Sequence, residues 1–166
     1  MRTSGKRFFN WYSSCLLKYP NITNSVTGFI VAGVGDAVCQ YYFEKTDNSE
    51  AHASIDMRRV LEMGFIRAMI VTPFTLNWYK VLARISPATT LPSALKRVAV
   101  DQLIGSPVVI MLVFLGKAIL SGNPVSAIET TETHLFKTWL VGFQYWPIMH
   151  TINFRFVPMM YQPLYA

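Results

Sequence analysis

Trp139-Leu-Val-Gly-Phe-Gln-Tyr-Trp-Pro-Ile-Met-His-Thr-Ile-Asn-Phe-Arg-Phe-Val-Pro158 is the stretch on which the reading of this chain turns. No charge occurs in it before Arg155, aromatic rings recur along its length, and Pro147 interrupts it. Three polar side chains, Gln144, His150 and Asn153, sit among the apolar ones. Soluble core helices rarely combine these features. A membrane segment beside a polar cavity does, because aromatic rings favour the interface and proline is tolerated where neighbours satisfy the freed carbonyl.

Composition carries the same message outward. The chain has 166 residues, enough for one domain, and is 52% hydrophobic with 14% charged residues. Soluble domains carry about 25% charged residues. A soluble fold of this length would have to cover a large surface with polar groups, and 15 basic and 9 acidic residues do that poorly. The mean hydropathy of +0.30 agrees. A net charge of +6 can signal nucleic acid, but Lys and Arg are scattered and no basic run is interleaved with aromatics. Direct nucleic-acid binding is therefore not expected; short basic loops beside apolar segments suit an anionic membrane surface. Cys15 and Cys39 form neither a metal spacing nor a CxxC motif, and they read as small apolar side chains.

Residues 1–20 form a basic, acid-free start in which Phe8, Phe9, Tyr12, Leu16 and Tyr19 share one helical face. That pattern suits a mitochondrial presequence or a retained helix lying in the membrane interface. Pro20 is expected to end this helix, with Asn21 or Thr23 capping the next. Four apolar segments follow, at about 24–43, 60–85, 98–120 and 135–158; the first is about the length needed to cross hydrocarbon, and the uncharged run Gln102–Gly116 within the third is a little short of it. The expected fold is all-α, a polytopic membrane helical bundle occupying 1–166 as one integral membrane domain. Small residues such as Gly28, Gly33 and Gly35 allow close helix approach. Glu44–Arg59, Ser86–Ser93 and Ser121–Pro124 read as loops or turns, and Ser126–His134 is polar.

Charge asymmetry orients the segments. The N-terminal arm and the stretch Lys80–Arg97 are basic without acids, whereas Glu44–Arg59 and Lys117–Lys137 are balanced. Basic segments on one side and balanced ones on the other give four crossings, with both termini on the same side. Asp36, Glu62, Arg67, Asp101 and Lys117 are then intramembrane charges. Together with Gln40, Gln102, His150 and Asn153 they are candidate pore-lining or buried polar residues, since such groups face a partner or water. Glu62 and Arg67, five residues apart, are expected to find partners on other helices. Pro73, Pro107 and Pro147 are candidate helix breaks, and Trp78, Tyr79 and Trp146 candidate interface anchors.

Several of these residues also carry a resemblance. Tyr12, Leu16 and Pro20 come first, then Gly35-Asp36 with Gln40, Arg58-Arg59 and Gly64. Pro73 precedes Trp78-Tyr79, and Lys96, Asp101-Gln102 and Pro107 follow. Trp146-Pro147, Asn153-Phe154 and Val157-Pro158 close the series. In order and spacing the chain resembles the Mpv-seventeen/peroxisomal membrane protein 22 kDa family, and its Mpv-seventeen branch in particular. Leu76, Thr72 and His150 stand where many members have His, Gly and Gln, and Met159–Ala166 stands where members usually continue with an apolar, Trp-containing segment. Loss of that support would weaken the stretch around Pro147. The resemblance implies a small multi-helix protein of the mitochondrial inner membrane, or alternatively of the peroxisomal membrane. It also implies a non-selective channel for small solutes, contributing to metabolite and nucleotide homeostasis and to mitochondrial DNA maintenance.

The chemistry is otherwise bland. There is no Ser/His/Asp arrangement, no phosphate-binding glycine loop after a strand and no metal spacing, so neither an enzyme nor a metal or cofactor site is expected. The partners expected are the lipid bilayer, small solutes and, optionally, a second copy or a membrane complex. Two readings compete: a pore lined by the intramembrane charges, and a non-conducting scaffold or regulator whose charges serve helix packing. His150 is read either as a satisfied structural histidine or as a gate.

Overall fold

A computed structural model describes residues 2–44, 55–122 and 124–165, with side chains described at 6–42, 55–122, 131 and 133–165. Every regular element among them is helical: α1 (Arg2–Lys18), α2 (Pro20–Cys39), α3 (Met57–Ile66), α4 (Thr72–Ile85), α5 (Leu91–Val100), α6 (Ser106–Ser121), α7 (Pro124–Phe156) and the short α8 (Gln162–Tyr165). Three widened π-turns, Gln40–Glu44, Arg67–Val71 and Asp101–Gly105, continue α2 and join α3 to α4 and α5 to α6. The expected loop Glu44–Arg59 falls largely outside the described residues, as does His52.

Local chemistry explains most boundaries. α1 ends at Lys18, as Pro20 predicts: Tyr19 before the proline leaves the helical region (φ -135°, ψ 64°), and Pro20 itself takes the first position of α2, where a missing N–H costs nothing. Tyr19 precedes it without a side-chain cap, and Thr23 instead donates its hydroxyl to the Cys15 carbonyl at the end of α1 (3.1 Å). Asp56 caps α3 by accepting from the Arg59 amide at 3.2 Å. Gly122 closes α6 with φ of 71°, a left-handed conformation that suits glycine. The polar run Ser126–His134 is helical and belongs to α7.

Two continuous helices, Pro20–Tyr42 and Leu91–Ser121, are long and apolar enough to cross a membrane, with hydropathies of 1.4 and 2.3. Only 17% of the most apolar window of either is buried, so their apolar side chains face outward. Val26, Ile30, Val34, Leu115, Ile119 and Ile148 all stand exposed. Inside, among the described residues, buried polar or charged side chains are as frequent as buried apolar ones. Water would oppose that distribution; hydrocarbon outside and polar contacts inside allow it.

The apolar part of the interior is small. Tyr79, Leu82, Ala94, Val98 and Phe154 pack together, joining α4, α5 and α7, with Trp78 against them. Small residues set the other contacts. A Cβ on Gly64 would meet the Phe29 ring at 2.8 Å, and one on Gly116 would meet Ile66 at 2.9 Å. The chain end folds back into the bundle. Asn153 donates to the Gln162 carbonyl (3.1 Å), Gln162 donates to the Val157 carbonyl (2.9 Å), and Ser13 shares a hydrogen bond with the Tyr161 hydroxyl (2.8 Å). Gln162 and Pro163 are buried. Met159–Tyr165 thus supports the end of α7 instead of leaving it bare.

Candidate functional site: a polar cavity between two widened turns

The site grows from two similar heptapeptides. Arg67-Ala-Met-Ile-Val-Thr-Pro73 and Asp101-Gln-Leu-Ile-Gly-Ser-Pro107 each begin with a charge and end Ile-x-Thr/Ser-Pro. Each folds as a π-turn followed by a helix with proline near its start. The hydrogen-bond accounts match. The Thr72 amide donates to the Arg67 carbonyl and the Ser106 amide to the Asp101 carbonyl, each five residues back. The next donors in line would be Pro73 and Pro107, which have no N–H. The carbonyls of Ala68 and Gln102 are therefore left without a helical partner. Ser25 on α2 donates its hydroxyl to the Ala68 carbonyl at 2.9 Å, and Trp139 on α7 donates its indole N–H to the Gln102 carbonyl at 2.7 Å. Proline thus shapes both turns, and side chains of neighbouring helices complete them. Turns of this type are frequent at functional sites.

Both leading charges line one cavity of about 170 Å³ among α4, α6, α7 and the two turns. Its walls include Trp78, Tyr79, Trp146 and His150, with Thr75, Ser106 and Thr138 as hydroxyl groups. The Trp78 indole donates to Asp101 Oδ1 at 2.7 Å. His150 Nε2 lies 3.7 Å from Asp101 Oδ2, and its Nδ1 lies 3.3 Å from the Tyr79 hydroxyl. Trp146 and Phe154 flank the imidazole, with ring centroids 5.3 and 5.5 Å away. Arg67 lies on the side nearer the chain end: its Nη2 is 3.5 Å from the Pro163 carbonyl, and a Cβ on Gly28 would meet its Cγ at 3.2 Å.

The sequence candidates separate into three groups. Arg67, Asp101, His150, Trp78, Tyr79 and Trp146 meet at the cavity. Trp78 and Tyr79 are not interface anchors: the tyrosine is 3% exposed and the tryptophan packs on the core, because Asp101 and His150 offer their polar tips partners inside. Gln102 and Asn153 are buried nearby. Gln102 borders an apolar groove with Phe143 and Pro147, and both of its amide atoms lack a protein partner. Pro107 starts α6 and Pro73 starts α4, as described; Pro147 breaks nothing, since α7 runs through it. Trp139, anchored two turns earlier, holds α7 against the widened turn.

Asp36 and Gln40 form a second, self-contained group. Arg59 Nε reaches Asp36 Oδ1 at 3.1 Å, and Gln40 Nε2 donates to Asp36 Oδ2 at 2.7 Å. The Gln40 carbonyl oxygen accepts from the Asp56 amide at 2.7 Å. These bonds clamp α2 to the start of α3 and lie outside the cavity lining. Glu62 and Lys117 make up the third group. Glu62 pairs with Arg58 on its own helix at 2.8 Å, not with another helix, because four-residue spacing brings them to one face. Lys117 is exposed.

Sequence reasoning missed Arg97. Counted among the surface charges of a basic loop, it is buried, and its Nε donates to the Ser86 carbonyl at 2.7 Å, capping the end of α4. It also missed the paired heptapeptides, whose signal is a charge six residues before a proline, twice. Among the described residues no group of His, Cys, Asp and Glu could hold a metal ion.

Helices interrupted by widened turns, an apolar exterior and two helices long and apolar enough to cross a membrane together mark a helical membrane protein. Comparison with known proteins makes the class particular. A model of the Mpv17 / PMP22 family matches residues 118–166. The mitochondrial inner membrane protein Mpv17 of Drosophila melanogaster is 31% identical over 145 residues, spanning 84% of this chain and 84% of that protein. Protein SYM1 of Gibberella zeae is 30% identical over 165 residues, 96% of this chain and 89% of that one. Protein SYM1 of Eremothecium gossypii is 29% identical over 165 residues, with 95% and 86% covered. No solved structure matches the chain. The chain belongs to the Mpv17 / PMP22 family, and its place is the mitochondrial inner membrane.

Proposed function

We propose that the protein is a conduit for small solutes across the mitochondrial inner membrane, with the cavity between the two widened turns as its polar passage. The observation that carries this reading is the arrival of Arg67 and Asp101, from two similar turns, at one cavity inside an apolar exterior. Charged side chains inside a bilayer are costly and mark solute paths by default, and broken helices in membrane transporters border such paths. Four crossings fit the charge asymmetry. The Ser13–Tyr161 contact supports them by bringing the N-terminal and C-terminal segments to one end of the bundle. No enzymatic step is proposed. Metabolite and nucleotide homeostasis, and through it mitochondrial DNA maintenance, would be the downstream consequences.

Efflux from proteoliposomes loaded with small and large solutes tests the reading. Small solutes escape while large ones stay, and Asp101→Asn alters the small-solute rate. Equal retention of every solute by folded protein overturns it.

A second reading draws on the Asp36 clamp, in which charges are spent on helix packing and every polar atom named has a partner. On that reading the protein is a scaffold or regulator within a membrane complex. It predicts that Asp36→Asn and Asp101→Asn change stability or complex formation alike, with no change in flux.

A further inference from the structure

A second hollow, away from the two widened turns, combines apolar walls with a cationic rim. It is a groove of about 340 Å³ where the end of α1, the start of α2, α4 and the chain end meet. Leu16, Leu76, Met159 and Met160 supply its apolar walls, and Lys80 borders it with an exposed side chain. One wall is open to the outside, since Met159 is 48% exposed. Arg84 is exposed one turn further along α4, on the same face as Lys80. Lys18 lies between Leu16 and Pro20 in the chain, and both of these line the groove. The counter-charge has to come from another molecule: residues 1–35, 63–100 and 133–166 supply the whole lining and contain no Asp or Glu.

We infer that this groove binds an anionic phospholipid, with an acyl chain along Leu16, Leu76 and the two methionines and the phosphate at Lys80 and Arg84. Apolar walls alone would take any lipid chain, and cations alone any phosphate. Side by side they select a molecule that has both parts. Lysine lays its stem on apolar surface while its ammonium reaches outward, and unbranched methionine adapts to a flexible chain. Basic residues between membrane helices attract anionic headgroups. The charge asymmetry assigns the N-terminal arm and Lys80–Arg97 to one side of the membrane, which brings the rim to the level of those headgroups. A second copy of this chain fits less well, because a two-fold contact through the groove would set like cations against each other. Tyr79 lines both the groove and the polar cavity, so the seated chain packs against a wall that the two share. The inference does not rest on the cavity being a passage.

Native mass spectrometry of the purified full-length protein in detergent micelles tests this. Dioleoylphosphatidylglycerol is the anionic lipid, dioleoylphosphatidylcholine the zwitterionic control with the same chains, and inorganic phosphate the headgroup charge without chains. Phosphatidylglycerol should bind saturably, about fivefold or more tightly than phosphatidylcholine, and phosphate at the same concentration should not displace it. Lys80→Gln and Arg84→Gln, at exposed positions, should each weaken phosphatidylglycerol about fivefold and leave phosphatidylcholine unchanged. Lys96→Gln removes an exposed cation outside the lining and should change neither. Leu76→Trp fills the groove and should weaken both lipids; should it fail to fold, the charge variants decide. Equal binding of the two lipids, displacement by phosphate, unchanged binding in Lys80→Gln, or an equal loss in Lys96→Gln overturns the inference. A dimer in lipid-free micelles that Leu76→Trp dissociates gives the groove to a second copy and overturns it too.

Discussion

Asp36 and Asp101 are both buried carboxylates in an apolar setting, yet their surroundings assign them different work. Asp36 is bound to Arg59 and Gln40 within a clamp joining two helices. Removing it takes away the carboxylate that ties Arg59 on α3 and Gln40 at the end of α2 together. Asp36→Ala should therefore lower stability by about 2 kcal/mol, read as a shift of the SDS-unfolding midpoint in mixed micelles. An unchanged midpoint would mean that the clamp adds nothing. Asp101 is held by Trp78 but faces the cavity, so its neutralisation should be felt in flux before it is felt in stability. Composition and spacing made both residues visible as intramembrane charges. They could not tell them apart, because the difference lies in Arg59 and Gln40 on one hand and in Trp78 and His150 on the other, partners brought in by tertiary packing.

At the scale of elements, the two proline-shaped turns make a specific thermodynamic claim. The Gln102 carbonyl depends on Trp139 because Pro107 has no N–H. Trp139→Phe should cost about 1 kcal/mol in the Pro107 background. With Pro107→Ala a backbone donor becomes available, and the same tryptophan change should cost measurably less. The four proteins form a double-mutant cycle with a coupling of about 0.5 kcal/mol or more; strict additivity would contradict the account. Packing at Gly116 gives a plainer test. Ile66 is 2% exposed and has nowhere to move when a Cβ approaches it, so Gly116→Ala should destabilise by about 1–3 kcal/mol on the same midpoint.

Helix existence was legible in the apolar segments, from periodicity and segment length, but not in the polar run Ser126–His134, which is helical as part of α7. Proline was legible as punctuation but only partly in its effect. Pro20 separates α1 from α2 as expected, whereas Pro73 and Pro107 follow widened turns and Pro147 is carried inside a helix. The outcome depends on which neighbouring donor meets the freed carbonyl, and Ser25 and Trp139 lie 43 and 37 residues away from theirs. The inward turn of Trp78 and Tyr79 escaped for the same reason. An aromatic pair beside lysine matches an interface belt in sequence, while its true partners, Asp101 and His150, are distant along the chain.

Among the described residues many large apolar side chains stand exposed while Asp36, Arg97 and Asp101 are buried, a distribution that water would oppose. Four crossings would place the N-terminal and C-terminal segments on the same side of the membrane, and the Ser13–Tyr161 and Phe9–Tyr161 contacts are compatible only with segments that meet. Epitope tags at the two ends should therefore share protease sensitivity in intact and opened mitoplasts. Opposite sensitivities would exclude the four-crossing arrangement.

Single-molecule conductance of the reconstituted protein in planar bilayers bears most directly on the claim that the cavity is a passage. Discrete conductance is expected from the wild-type protein, changed at least severalfold by Asp101→Asn and left intact in amplitude by Asp36→Asn. Silent bilayers containing folded protein, or a conductance that responds to Asp36→Asn and ignores Asp101→Asn, would contradict it.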